Sequence, residues 1–165
     1  MSAQAQTSSP VALVVKRTFK APRERIFRAW TSAPELSAWF APSDDFMIAA
    51  DTDLQVGGSY RIEMRHVSGQ VHIVRGNYRE IDAPNKLVYT WRWEGAPTDT
   101  LVTVEFRPKG DATEITLTHE MLPSDEERAK HEQGWNGCMA RLARFLDTGN
   151  ASGGVEASGR GPCGE

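Results

Sequence analysis

Residues 85–95 read NKLVYTWRWEG, and within them Leu87, Tyr89, Trp91 and Trp93 fall at every second position. Side chains alternate between the two faces of a strand, so this spacing predicts a strand with one large, mostly aromatic face. Arg92 lies on the other face.

The same period recurs on both sides of this stretch. Tyr60, Ile62, Met64 and His66 precede it, while Val102, Val104 and Phe106, then Ile115, Leu117, His119 and Met121 follow. The intervening positions, among them Arg61, Glu63, Arg65, Glu114, Thr116 and Thr118, are polar and predict a solvated outer face. Strands are expected over roughly 45–51, 58–67, 71–82, 86–95, 100–108 and 112–121. The joins VGGS, VSGQ, DAPN, EGAPTD and PKGDA are short and rich in turn formers, which implies antiparallel neighbours.

An earlier strand, VALVVKRTF, is followed by APRERIFRAWTSAPELSAWF. Pro22 suits a first helical turn, with Ile26, Ala29 and Trp30 on one face; Pro34 starts a second short helix carrying Leu36, Trp39 and Phe40. The last element is SDEERAKHEQGWNGCMARLARFL, a long helix with Ser124 as its cap and a stripe of Trp135, Met139, Leu142 and Leu146. The order predicts an α+β fold: a curved seven-stranded antiparallel sheet, gripped by the final helix, with the two short helices as a lip over one end.

The polar segment 1–10 and the Gly/Ser-rich segment 147–165 have little to bury and are expected to be flexible, which leaves 11–146 as one domain. Nineteen basic against 22 acidic residues give a net charge of −3. No basic run exceeds two residues, which argues against nucleic acid as a partner. The start lacks a signal-peptide pattern and no apolar stretch is long enough for a membrane span. Cys138 and Cys163 form no framework of paired cysteines, which favours a cytoplasmic location.

An aromatic inner face is compatible with a solid core. Trp30, Trp39, Trp91, Trp93 and Trp135 each bring an N–H that needs a partner when buried, and Tyr60, Tyr89, His66 and His119 add more polar groups to the interior. A lined hollow satisfies them more easily than a dry core. Gly134 and Gly137 within the long helix either thin its wall beside a ligand or allow close packing.

Chemical motifs are scarce. His66 and His119 are candidate acid–base groups, although an inward histidine more often makes a structural hydrogen bond. A three-residue SGQ turn would set His66 opposite His72, but no third ligand is evident and no metal is expected. His131 lies one turn before Trp135 and approaches the end of the hollow. Nucleotide fingerprints are absent and no cofactor is expected. Cys138 is read as an inert buried thiol, and Arg141 and Arg144 as solvent-facing.

In RTFKAPRERIFRAWTSAPELSAWF, DLQVGGSYRIEM, GNYREIDAPNKLVYTWRW followed by VTVEF, and TEITLTH with HEQGWNGCMARLARFL, the chain resembles the START-like (SRPBCC, helix-grip) superfamily of polyketide cyclases and Bet v 1-like proteins. Within it, the chain is similar over residues 14–146 to bacterial proteins related to the C-terminal domain of the activator of Hsp90 ATPase (AHSA1-like). The resemblance implies a deep apolar tunnel between sheet and last helix. The eukaryotic activator has an additional N-terminal Hsp90-binding domain that this chain lacks, so an Hsp90 partner is not expected.

The first functional expectation is noncatalytic binding of a small hydrophobic or aromatic ligand. Its lining would be Trp30, Trp39, Phe40, Tyr60, Ile62, Met64, His66, Tyr89, Trp91, Trp93, Val104, Leu117, His119, Trp135 and Met139. The alternatives are a cyclase- or aromatase-like enzyme using His66 or His119, and a chaperone-associated interaction module. A homodimer stays compatible with the sequence, though no heptad or apolar stripe announces one.

Overall fold

The computed structural model of the protein describes residues 11–152. Strand β1 (Val11–Phe19) leads into helices α1 (Arg23–Thr31) and α2 (Ala33–Trp39). Then come β2 (Phe46–Thr52), β3 (Ser59–His66), β4 (Val71–Asp82), β5 (Lys86–Trp93), β6 (Thr100–Lys109), β7 (Ala112–Leu122) and helix α3 (Asp125–Ser152). Residues 1–10 and 153–165, on which most of the expected flexible ends fall, lie outside the described residues. Helix α3 continues past Leu146 to Ser152.

The seven strands form one antiparallel sheet in the order β1-β7-β6-β5-β4-β3-β2. Strands β2 to β7 are a meander, and β1 joins its far edge by pairing with β7. Helices α1 and α2 therefore carry the chain across the full width of the sheet, from one edge to the other. Pro34 stands in the first turn of α2, and the Ser32 side chain accepts from the Glu35 N–H, so one helix ends and the next begins within two residues. The Ser124 hydroxyl likewise accepts from the Glu127 N–H and caps α3.

The alternation read from the sequence holds across the sheet. Tyr60, Ile62, Met64, Leu87, Tyr89, Trp91, Val102, Val104, Phe106, Ile115, Leu117 and His119 are all buried. It fails at Met121, which is 51% exposed while Leu122 is fully buried. Met121 has φ of 70°, a left-handed backbone unusual for a bulky side chain, and that turn of the chain reverses the parity at the strand end.

The short helices are more than a lip. Ile26, Phe27, Ala29 and Trp30 of α1 and Leu36 and Trp39 of α2 are buried. Phe27 and Trp30 meet Phe106 of β6 edge-on at 5.2 and 6.0 Å, and Trp30 meets Trp39 at 5.1 Å. The middle of the grip is thus filled by aromatic packing from α1 and α2. The void left beside Trp30, Leu36, Tyr60, Tyr78 and Tyr89 is only about 10 Å³, too small for any organic molecule. Among the described residues, the middle of the grip holds no space of ligand size in place of the expected deep tunnel.

Candidate functional site

Most of the polar groups that the sequence placed inside find partners within the protein, on side chains or on the backbone. Trp30 Nε1–H donates to the Tyr89 hydroxyl at 3.2 Å, Trp39 Nε1–H to the Ala29 carbonyl at 2.9 Å, and the Tyr60 hydroxyl to the Thr90 carbonyl at 2.6 Å. Burial raises the Tyr60 and Tyr89 phenols well above their ordinary range. They are neutral structural donors and acceptors.

His119 is the centre of a second network. Trp135 Nε1–H donates to its Nδ1 at 3.0 Å, and its Nε2 lies 2.7 Å from the Thr100 hydroxyl. That hydroxyl in turn donates to the Trp91 carbonyl at 2.9 Å. One assignment satisfies every partner: Nδ1 accepts, Nε2–H donates, and the ring is neutral. Burial, with a smaller contribution from the neighbouring His131, lowers the His119 pKa to about 3. With both ring nitrogens engaged and the side chain fully buried, nothing is left for proton exchange with a reacting molecule.

His66 and His72 are not opposed. The turn is Val67–Gly69 instead of Ser68–Gln70, so the His66 N–H bonds the Gln70 carbonyl at 2.8 Å and His72 pairs with Met64. His66 sits half-buried at the rim, its Nδ1 near the Ser68 hydroxyl at 2.9 Å and its ring against Phe46 at 5.0 Å. Among the described residues, no cluster of three or more His, Cys, Asp or Glu could hold a metal.

A larger space lies on the inner side of the sheet. A cavity of about 240 Å³ lies at the end of the grip, between the inner face of β5 and the first half of α3, lined by Phe40, Pro42, Met64, Trp91, Trp93, Glu127, Lys130, His131, Gly134, Trp135 and Cys138. Strand periodicity puts Trp91 and Trp93 side by side, their rings edge-to-face at 5.5 Å. Helical periodicity puts His131, Gly134, Trp135 and Cys138 on the facing surface. Trp93 Nε1–H donates to His131 Nε2 at 3.0 Å, while His131 Nδ1 lies 2.7 Å from the Glu127 carbonyl, which fixes its ring as a wall. Lys130 is exposed and marks the solvent side.

The two helix glycines have different reasons. A Cβ on Gly137 would collide with the Pro42 carbonyl, so this glycine permits α3 to touch the backbone that follows α2. A Cβ on Gly134 would meet nothing within 4 Å, and Gly134 is in the cavity wall. Trp91, 5% exposed, carries the only buried side-chain nitrogen or oxygen among the described residues that lacks a hydrogen-bond partner, its Nε1.

Of the residues expected to line a ligand site, Phe40, Met64, Trp91, Trp93 and Trp135 meet at this cavity. Trp30, Tyr60, Ile62 and Tyr89 line the much smaller void instead. Trp39, Val104, Leu117, His119 and Met139 are core, and His66 is at the rim. Pro42, Glu127 and Lys130 were missed: Pro42 lies beyond any periodic element, and the two charged residues read as solvated helix positions. Burial pushes the Cys138 thiol up to about 12, so it contributes an inert wall. Cys163 lies outside the described residues. Arg141 does not face solvent freely: its Nε donates to the Trp39 carbonyl at 3.0 Å, and with Arg144 it holds Asp44, whose carboxyl is lowered first by the Arg144 hydrogen bond.

No helix among the described residues is long and apolar enough to cross a membrane. The seven-stranded antiparallel sheet with a long terminal helix is a helix-grip fold, shared with solved structures. A Chromobacterium violaceum protein is 27% identical with a TM-score of 0.74, covering 82% of this chain and 96% of its own. The AHSA1 protein from Silicibacter pomeroyi is 24% identical with a TM-score of 0.74, covering 84% and 99%. A protein of the dynemicin biosynthetic locus, DynU16, is 21% identical with a TM-score of 0.70, covering 84% of this chain and 48% of its own. No curated protein matches the chain significantly. Residues 20–147 match the family described as activator of Hsp90 ATPase homolog 1-like protein, which covers most of the chain, and the protein belongs to that family.

Proposed function

We propose that this protein binds a small planar apolar molecule, of one or two aromatic rings, in the cavity between Trp91 and Trp93 on the sheet and Gly134 and Trp135 on α3. The observation that carries this reading is the open space at Gly134, where the neighbouring void beside Trp30, Tyr60 and Tyr89 is only about 10 Å³. A glycine inside a helix costs about 1 kcal/mol relative to alanine, and here no neighbour requires it.

Size sets the ligand class. An apolar hole of about 150 Å³ takes up benzene, so about 240 Å³ suits a molecule somewhat larger. Sterol- or lipid-sized ligands do not fit. Aromatic walls supply stacking and dispersion, and the unpartnered Trp91 N–H favours a ligand that carries one acceptor. Binding is the role the site favours over turnover by the two candidate histidines, since His119 has both nitrogens committed and His66 is not in the cavity wall. The cytoplasmic location inferred from cysteine usage accords with it.

The test combines native mass spectrometry of freshly purified protein with titration of 2-naphthol, a planar two-ring fluorescent dye, into the wild type and Gly134→Leu. A leucine there has room and favours the helix, so the variant is expected to fold at least as stably while its affinity for the dye falls by about tenfold or more. Equal dye binding by a well-folded Gly134→Leu protein, with no small molecule carried through purification, would overturn the proposal.

A further inference from the structure

The opposite face of the sheet carries an arrangement that the cavity does not explain. Arg61 of β3 pairs in register with Arg75 of β4, and Arg75 pairs with Arg92 of β5. Their chain neighbours Ile62, Val74 and Trp91 are buried, so all three arginines stand together on the outer face. Adjacent strands lie about 4.8 Å apart, and like charges directly opposed across strands destabilise the pairing. Two consecutive Arg–Arg pairs are a local conflict of the kind that proteins keep at functional sites.

The chain's own carboxylates relieve this conflict only in part. Arg75 holds Glu94 at 2.8 Å, but Arg92 reaches Asp99 at 3.7 Å and Arg61 reaches Glu63 at 3.5 Å. Glu63 is closer to Arg65, at 3.1 Å. Four guanidiniums, those of Arg61, Arg65, Arg75 and Arg92, thus share three carboxylates. Asp51, the register partner of Arg61 on the edge strand β2, makes no ion pair with it among the described residues. The three arginine side chains in the row are 43%, 57% and 47% exposed. They floor a groove of about 640 Å³ whose sides include Ser59, Asn77 and the β5–β6 turn from Glu94 to Ala96.

We propose that this groove binds a compact oxyanion bearing two negative charges, of the phosphate or phosphate-monoester type, with Arg75 at the centre and Arg61 and Arg92 on either side. Guanidinium forks match the oxygen geometry of phosphate and hold it by paired N–H donors. The charge balance selects the dianion. A monoanion that displaces Glu94 or Asp99 exchanges one negative charge for one, with no gain, whereas a dianion brings a second charge to neutralise the row. The site is on the far side of the sheet from the apolar cavity and stands or falls independently of it.

The experiment is a titration of isotope-labelled full-length protein, followed by NMR of the arginine Nε–H groups and the β3–β5 backbone. The titrants are inorganic phosphate, glycerol 3-phosphate and chloride at fixed ionic strength. Saturable shifts at Arg61, Arg75 and Arg92 are expected with phosphate or its ester and not with chloride, and the stronger of the two identifies a bare ion or an ester as the preferred form. Arg75→Gln is expected to weaken binding by about tenfold, while Arg107→Gln, exposed on β6 outside the groove, leaves it unchanged. Identical, unsaturating shifts with chloride and phosphate, or undiminished binding by Arg75→Gln, would overturn the proposal.

Discussion

His119 shows how one buried side chain can look catalytic in a sequence and be structural in the fold. Its pKa of about 3 lies below the ordinary 6.5, so folding holds the neutral form. The unfolded chain takes up a proton as pH falls through 6.5 and the folded chain does not until about pH 3; stability due to this residue is full above 6.5 and declines across that window. Urea unfolding of the wild type is expected to lose about 2 kcal/mol more between pH 7 and pH 5 than the same measurement on His119→Gln. A pH dependence identical in the two proteins contradicts the assignment. The helix glycines give an opposed pair of outcomes in the same assay. Gly134→Ala is expected to stabilise by about 1 kcal/mol, and Gly137→Ala to destabilise by about 1–3 kcal/mol through overlap with the Pro42 carbonyl.

Helix α3 is set against the rest of the fold by more than its apolar stripe. Arg141 and Arg144 clasp Asp44, Arg141 also holds the end of α2 through the Trp39 carbonyl, and the Arg25 guanidinium lies 5.3 Å from the Phe145 ring centre. These contacts fix the backbone around Phe40 and Pro42, which forms one wall of the cavity. Replacing Arg141 by Ala is expected to speed amide hydrogen exchange in residues 41–45 while leaving β5 and β6 protected; unchanged exchange in that segment speaks against the clasp. The Ser124 cap, the Pro34 break and the alternating strands were legible because each depends on residues close in sequence. The hairpin register at His66 was not, since a turn shifted by one residue moves every pair of the ladder.

In the whole molecule, the inner face of a seven-stranded sheet is covered by helices that divide the work: α1 and α2 fill the centre, while α3 buries Met139, Leu142 and Leu146 in the core and walls the cavity with its first half. A ligand bound there touches β3, β5, α3 and the segment after α2 and leaves α1 untouched. Ligand at about a hundred times the dissociation constant is expected to stabilise the protein by about 2.7 kcal/mol and to add exchange protection around Phe40, Met64, residues 91–93 and residues 127–138, the segments that line the cavity. Protection spread evenly through α1 argues for a deeper site than the structure holds.

Alternation, caps and turn residues determined the element order, the antiparallel sheet and the apolar inner face from the sequence by itself, because these are local and periodic properties of the chain. Whether that face enclosed a space was decided only by tertiary packing. The volume left between Trp30, Trp39, Phe40 and Trp135 depends on side chains brought together from distant segments, and no period in the sequence encodes how completely they interlock. The same is true of Arg61, Arg75 and Arg92, whose alignment exists only once three strands are in register.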